Sequence, residues 1–152
     1  MELIIVNETE YKEIQKLCNK AIKIDCVPVG AIVVLNGKII GRGYNKKEKT
    51  NNPLDHAEII AIRNATKKMK SWNLSKCKLI VSMIPCEMCK KVIFESRIKQ
   101  IFYIVDNNNE KSKSIKDNKI TNFYKINEHM YEEENIDMLK NFFSKKREKG
   151  IR

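Results

Sequence analysis

Leu79-Ile80-Val81-Ser82-Met83, continued by Ile84-Pro85-Cys86-Glu87-Met88-Cys89 and later by Ile98 to Val105, is the stretch that decides the fold. The first five residues are apolar apart from Ser82 and contain no glycine or proline, so they read as a buried strand. Pro85 suits the opening turn of a helix, where its missing N–H is not needed, and that helix is expected to reach about Glu95. Unbroken apolar character from Ile101 to Val105 predicts a second strand over Ile98–Val105. Strand, helix and strand in so short a span form a crossover joining parallel strands.

The flanks extend this unit. Ala31-Ile32-Val33-Val34-Leu35 and Lys38-Ile39-Ile40 surround Asn36-Gly37, a strong hairpin signal. Between Asn7 and Ile24 the apolar positions Tyr11, Ile14, Leu17, Cys18, Ala21 and Ile22 follow helical spacing, and Asn7 with Glu10 resembles a capping box. A polar loop, Lys46 to Pro53, leads to a helix from about Asp55 to Lys70. Downstream, Asp106 to Lys119 reads as a polar loop and Thr121 to Ile126 as a short strand. Tyr131 to Arg147 reads as a helix with Ile136, Leu139 and Phe143 on one stripe and Phe142 beside it. A hairpin followed by strand–helix–strand units predicts an α/β domain, a mixed sheet covered by helices.

At 152 residues the chain is expected to form a single domain over 1–152. With 42% hydrophobic and 32% charged residues it is an ordinary globular composition, which excludes wholesale disorder. Leu3 to Val6, the apolar run near the start, is too short for a signal peptide core or a membrane span. A cytoplasmic protein with reduced cysteines is therefore expected, with no membrane partner. The net charge of +11 points to a polyanionic partner, nucleic acid foremost. An abundance of lysine, asparagine and isoleucine also fits a coding bias, so charge does not decide the function.

The chemistry lies in two short sequences, His56-Ala57-Glu58 and Pro85-Cys86-Glu87-Met88-Cys89, each at an expected helix start. Cys86 and Cys89, three apart, share a face in the first turn, where free N–H groups and the helix dipole favour thiolate. His56 offers a third ligand, and three protein ligands leave a tetrahedral zinc one position open, as catalytic rather than structural sites do. Zinc brings the pKa of bound water from about 15.7 toward about 7, and Glu58 is placed to move the protons. One geometric demand follows: two residues of ideal helix separate His56 from Glu58 by about 200°, so the pocket must wrap around the helix end.

Alternative readings exist for each piece. Cys-x-x-Cys between a strand and a helix also suits a redox dithiol, a lone histidine is more often structural, and Glu58 alone could be a solvated charge. The conjunction H-x-E…P-C-x-x-C, however, is the signature of the zinc nucleobase deaminases. Cys18, Cys26 and Cys77 lack ligand spacing and read as buried small hydrophobes. His129 is expected at the surface, and Trp72 is expected to plug the edge of the core.

On these residues the chain resembles the cytidine/deoxycytidylate deaminase superfamily, and within it the bacterial tRNA-specific adenosine deaminases. The resemblance is carried by Val27-Pro28-Val29-Gly30-Ala31, Asn36-Gly37, Gly43-Tyr44-Asn45, Asp55 to Arg63, Pro85 to Cys89 with Ser96-Arg97-Ile98, and loosely by Glu132 to Arg147. It implies a three-layer α/β/α fold with a five-stranded mixed sheet and a homodimer. It implies Zn2+ held by His56, Cys86 and Cys89, with Glu58 shuttling protons. Asn45, Val27, Pro28 and Ala57 would bind the base, and Phe143, Lys146 and Arg147 would touch RNA. The implied reaction is deamination of the wobble adenosine to inosine in a tRNA anticodon stem-loop, an arginine tRNA being the expected partner.

Three positions differ from the family's pattern: Ile84 stands where a glutamate is usual, Asn107 where an aspartate is, and Asp55 where a small residue is. Asp55 could bind the other nitrogen of His56 or cap the helix. The rival in the same class is a deaminase of a free base or nucleotide (guanine, cytosine or deoxycytidylate). From other classes come a redox dithiol protein and a catalytically idle RNA-binding scaffold.

Overall fold

A computed structural model describes residues 6–107 and 121–148. The elements in chain order are α1 (Glu8–Lys23), β1 (Gly30–Leu35), β2 (Lys38–Tyr44), α2 (Lys47–Thr50), α3 (Ala57–Met69), β3 (Lys78–Met83), α4 (Glu87–Glu95), β4 (Gln100–Val105), β5 (Asn122–Lys125) and α5 (His129–Glu148). They build the expected α/β architecture: one five-stranded mixed sheet in the order β2-β1-β3-β4-β5. β1 runs antiparallel to β2 and β3, while β3, β4 and β5 are parallel.

Local signals act as the sequence predicts. The Asn7 side chain accepts from the Glu10 N–H at 2.8 Å and the Glu10 carboxylate accepts from the Asn7 N–H at 3.0 Å, a complete capping box. Asn36 and Gly37 both take positive φ, 51° and 79°, as a tight hairpin turn requires. Alternation along β1 then assigns the two faces of the sheet. Ala31 and Val33 join Ala57, Ala61, Ala65, Leu79, Val81 and Ile93 in the core beneath α3 and α4. Ile32 and Val34 join Tyr11, Ile14, Leu17, Ile80, Phe102 and Ile104 in the core beneath α1 and α5. Helices on both faces make the three layers.

The approach of α3 to the sheet positions the site. A Cβ at Gly41 would lie 2.3 Å from the Ala61 carbonyl oxygen, and one at Gly43 would lie 2.3 Å from that of Ala57. Glycine in β2 facing alanine in α3 is thus what lets the helix lie close. Gly43→Ala is expected to push the N-terminus of α3 outward, at a cost of roughly 1–3 kcal/mol. Thermal unfolding should register this as a fall in Tm of several degrees.

Several expectations are corrected. The Lys46–Pro53 loop contains a one-turn helix, α2. Of the polar Asp106–Lys119 segment, residues 108–119 lie outside the described residues. Trp72 does not plug the core: it is 62% exposed, with the Arg97 guanidinium 5.4 Å from its ring centre, because aromatic area can be covered by a cation as well as by apolar neighbours. His129 is at the surface, 3.2 Å from Glu133.

On α5 the inward face is wider than the expected stripe and closes on Phe142 instead of Phe143. Ile136 and Leu139 pack against the core as expected, together with Tyr131 and Met138, but Asn135 and Phe142 are the buried residues and Phe143 is 43% exposed. The reason is polar. The Asn135 amide donates to the Tyr131 carbonyl at 2.7 Å and to the Tyr11 hydroxyl at 3.2 Å. Tyr11 in turn donates to Glu134 and stacks on Tyr131 with ring centres 3.5 Å apart. This clasp fastens α5 to α1, and burial pushes the Tyr11 hydroxyl pKa up. No helix among the described residues is long and apolar enough to cross a membrane.

Candidate active site

Two helix N-termini meet at the end of β3. His56 is the N-cap of α3, with extended φ and ψ of −80° and 152°. Cys86 is the N-cap of α4, at −72° and 173°, and Cys89 lies in that helix's first turn. Neither side chain makes a capping hydrogen bond. They turn instead toward each other. The His56 Nδ1 atom lies 3.8 Å from the Cys86 Sγ and 3.5 Å from the Cys89 Sγ. The three donor atoms all fall within 4.8 Å of one another. The 200° conflict between His56 and Glu58 disappears, since His56 precedes the helix and only Glu58 obeys its rotation.

A tetrahedral zinc with ordinary Zn–N and Zn–S bonds sets its nitrogen and sulfur ligands about 3.6 Å apart. The observed separations match that spacing, and an imidazole with two thiolates is a donor set zinc favours. Cys86 is partly exposed while Cys89 is buried. Hydrogen bonds from Cys89 and His56 hold the Cys86 thiol well below the ordinary range. The hydrogen bond to Cys86 and burial push the Cys89 thiol up. The hydrogen bond to Cys86 raises His56. Glu58 is 4% exposed, lies against Cys89, and is pushed up to about 7 by burial.

His56, Glu58 and Cys86 line a cavity of about 210 Å³, below the size of sites for drug-sized ligands and suited to something small. Val27, Val29, Asn45, Ala57, Met83, Ile84 and Asn107 line it together with Lys47, Glu48, His56, Glu58 and Cys86. Asn45 is held by its own amide, which donates to the Val27 carbonyl at 3.2 Å while its oxygen accepts from the Lys47 N–H at 3.1 Å. Pro28, expected in the wall, is buried outside it. Residues 27 and 29 fall on one side of this extended segment and Pro28 on the other, so Val29 takes the place assigned to Pro28.

Asp55 takes neither of its two expected roles. Its carboxylate accepts from the Thr50 hydroxyl at 2.8 Å and stands 3.8 Å from the Arg63 guanidinium, tying α2 to α3. Phe143, Lys146 and Arg147 lie outside the cavity wall. Lys146 is paired with Asp25 at 2.5 Å, and Arg147 is exposed. Sequence reasoning missed Val29, Lys47, Glu48 and Met83. Alternation beside Val27 could have found Val29, and Met83 ends the strand that delivers Cys86. Lys47 and Glu48 belong to a segment read as plain loop.

Fold and site together define a deaminase. A family model described as MafB19-like deaminase matches residues 6–147, and the chain belongs to that family. More particularly, it is similar to the tRNA-specific adenosine deaminase of Buchnera aphidicola subsp. Schizaphis graminum, 39% identical over 125 residues, which are 80% of this chain and 83% of that protein. The protein of the same name from Rickettsia bellii is 49% identical over 79 residues, covering 54% of its length. A solved tRNA:A34 deaminase, studied for A-to-I editing at the wobble position of transfer RNA, superposes with a TM-score of 0.75 at 27% identity, over 87% of this chain and 100% of that one. Guanine deaminase from Bacillus subtilis superposes at 0.63 with 33% identity, over 74% and 73% of the two chains. The family resemblance read from the sequence, and its fold, are borne out.

Proposed function

We propose that this deaminase acts hydrolytically on adenosine at the wobble position of a tRNA anticodon, giving inosine and ammonia. The observation that carries the reading is the convergence of the His56, Cys86 and Cys89 donor atoms beside a base-sized cavity that His56, Cys86 and buried Glu58 line. His56 Nδ1 and the sulfurs of Cys86 and Cys89 would hold Zn2+, which when bound supplies the Lewis acidity that makes water nucleophilic near neutral pH. Glu58 takes a proton from the attacking water, gives it to the ring nitrogen beside C6, and then serves the departing amine. Val27, Val29 and Ile84 give the base an apolar wall, while Asn45 and Ala57 bound its polar edge. Apolar walls and a buried carboxylate also exclude bulk water from the reacting carbon.

Further parts belong to the same proposal. The chain works as one domain over 1–152, in the cytoplasm, as a homodimer. An arginine tRNA is the partner, with Phe143 and Arg147 available to the RNA and Lys146 able to exchange Asp25 for a phosphate. The similarity to guanine deaminase favours one second reading, turnover of a free base. Incubation of the zinc-loaded protein with an arginine tRNA anticodon stem-loop, and separately with guanine, decides between them. Inosine in the stem-loop at a kcat/KM well above that for guanine is expected. Guanine turnover without inosine assigns the site to free bases.

A further inference from the structure

The turn that forms the rim of the base cavity carries a cation, and that turn is built into the site. α2 is a single turn, too short to persist alone. It is fixed at its start by Asn45, which lines the cavity, and at both ends by Asp55. At its start the Lys47 N–H donates to the Asn45 side-chain oxygen at 3.1 Å, and the Lys46 N–H donates to the Asp55 carbonyl at 3.0 Å. At its end the Thr50 hydroxyl donates to the Asp55 carboxylate at 2.8 Å. Lys47 therefore stands on the same cavity wall as His56.

The ammonium of Lys47 has little to do in the described structure. Among the described residues its one ion pair is with the adjacent Glu48, at 3.8 Å, and both side chains are about half exposed. Such a pair contributes little and exchanges readily for a better anion. Glu48 also lies beside the Cys26 thiol. A neutral base seated against Glu58 has no use for a cation at the mouth. A base still joined to its ribose leaves its flanking phosphates there.

We infer that Lys47 binds a phosphate flanking the target base, so that the site selects a base within a polynucleotide over the free base. The inference rests on the nucleobase-deaminase reading above and names the group that would enforce its substrate class. Glu48 opposes the phosphate, and the two neighbours therefore act with opposite sign.

The test uses the full, zinc-loaded chain and an anticodon stem-loop RNA, with binding read by fluorescence anisotropy over a range of salt and turnover read as inosine. Lys47→Met is expected to weaken binding roughly fivefold at low salt, as loss of one exposed ion pair does. The slope of log affinity against log salt should fall by about 0.7 to 1, the share of one phosphate contact. The loss in turnover falls on KM more than on kcat. Lys47→Arg recovers most of the slope, and Glu48→Gln tightens binding. An unchanged slope in Lys47→Met, or weaker binding by both Lys47→Met and Glu48→Gln, overturns the inference. A Lys47-dependent slope without inosine keeps the phosphate contact and sinks the deamination. Inosine with a Lys47-independent slope does the reverse, and a wild-type chain that does not bind the stem-loop overturns both.

Discussion

Glu58→Gln lowers kcat for inosine formation by about 10²- to 10⁴-fold, the range general acid–base catalysis contributes, while the protein keeps its fold and a full equivalent of zinc. The argument is geometric. Glu58 is the one buried carboxylate among the residues lining the cavity, and it lies against Cys89. Glu48 also lines the cavity but is half exposed at the rim. Glutamine preserves the volume and a hydrogen bond but cannot take a proton from water or give one to a ring nitrogen. The variant should bind substrate with an affinity close to that of the unmodified chain, because the loss is confined to proton transfer. Inosine formed at the wild-type rate by Glu58→Gln would remove this residue from the reaction. A loss of zinc content in step with activity would give Glu58 a structural part instead. The measurement is single-turnover inosine formation beside a zinc assay on the same sample.

Much of the fold and the core of this site were legible in the sequence because they are encoded locally. Asn7 and Glu10 form a capping box over one turn, and Asn36-Gly37 sets its own backbone. His56-Ala57-Glu58 and Pro85 to Cys89 each hold their chemistry within a few residues. What stayed hidden depends on contacts between distant segments. Ile84 and Asn107 meet in the cavity wall because the Ile84 N–H donates to the Val105 carbonyl at 2.8 Å, an extension of β3 alongside β4. On α5 Ile136 and Leu139 were legible as inward, but the burial of Asn135 was not, because an asparagine breaks the apolar stripe. Asn135 is repaid by the hydroxyl of Tyr11, more than a hundred residues away in sequence. The supposed conflict between His56 and Glu58 came from assuming that a helix includes its own cap.

Cys86→Ser separates metal binding from folding, and its two readouts move in opposite directions. Cys86 occupies the N-cap of α4 without capping it. Serine is a far better N-cap, and its oxygen can accept from an N–H of the first turn, a gain of about 0.5–1 kcal/mol. A neutral hydroxyl is, however, a poor ligand where zinc favours thiolate. The expected result is a protein that retains almost no zinc after gel filtration and no measurable inosine formation, yet whose metal-free form unfolds at or above the Tm of metal-free wild type. His56→Ala should lose zinc equally. Alkylation supplies an independent check: Cys18 and Cys26 are fully buried and Cys77 is nearly so, whereas Cys86 is partly exposed. In the chelated wild type Cys86 should react first, and added zinc should protect it while the other three remain unlabelled. If Cys86→Ser holds a full equivalent of zinc, or if zinc leaves Cys86 as reactive as before, the metal is bound elsewhere and the three-donor site is not its home.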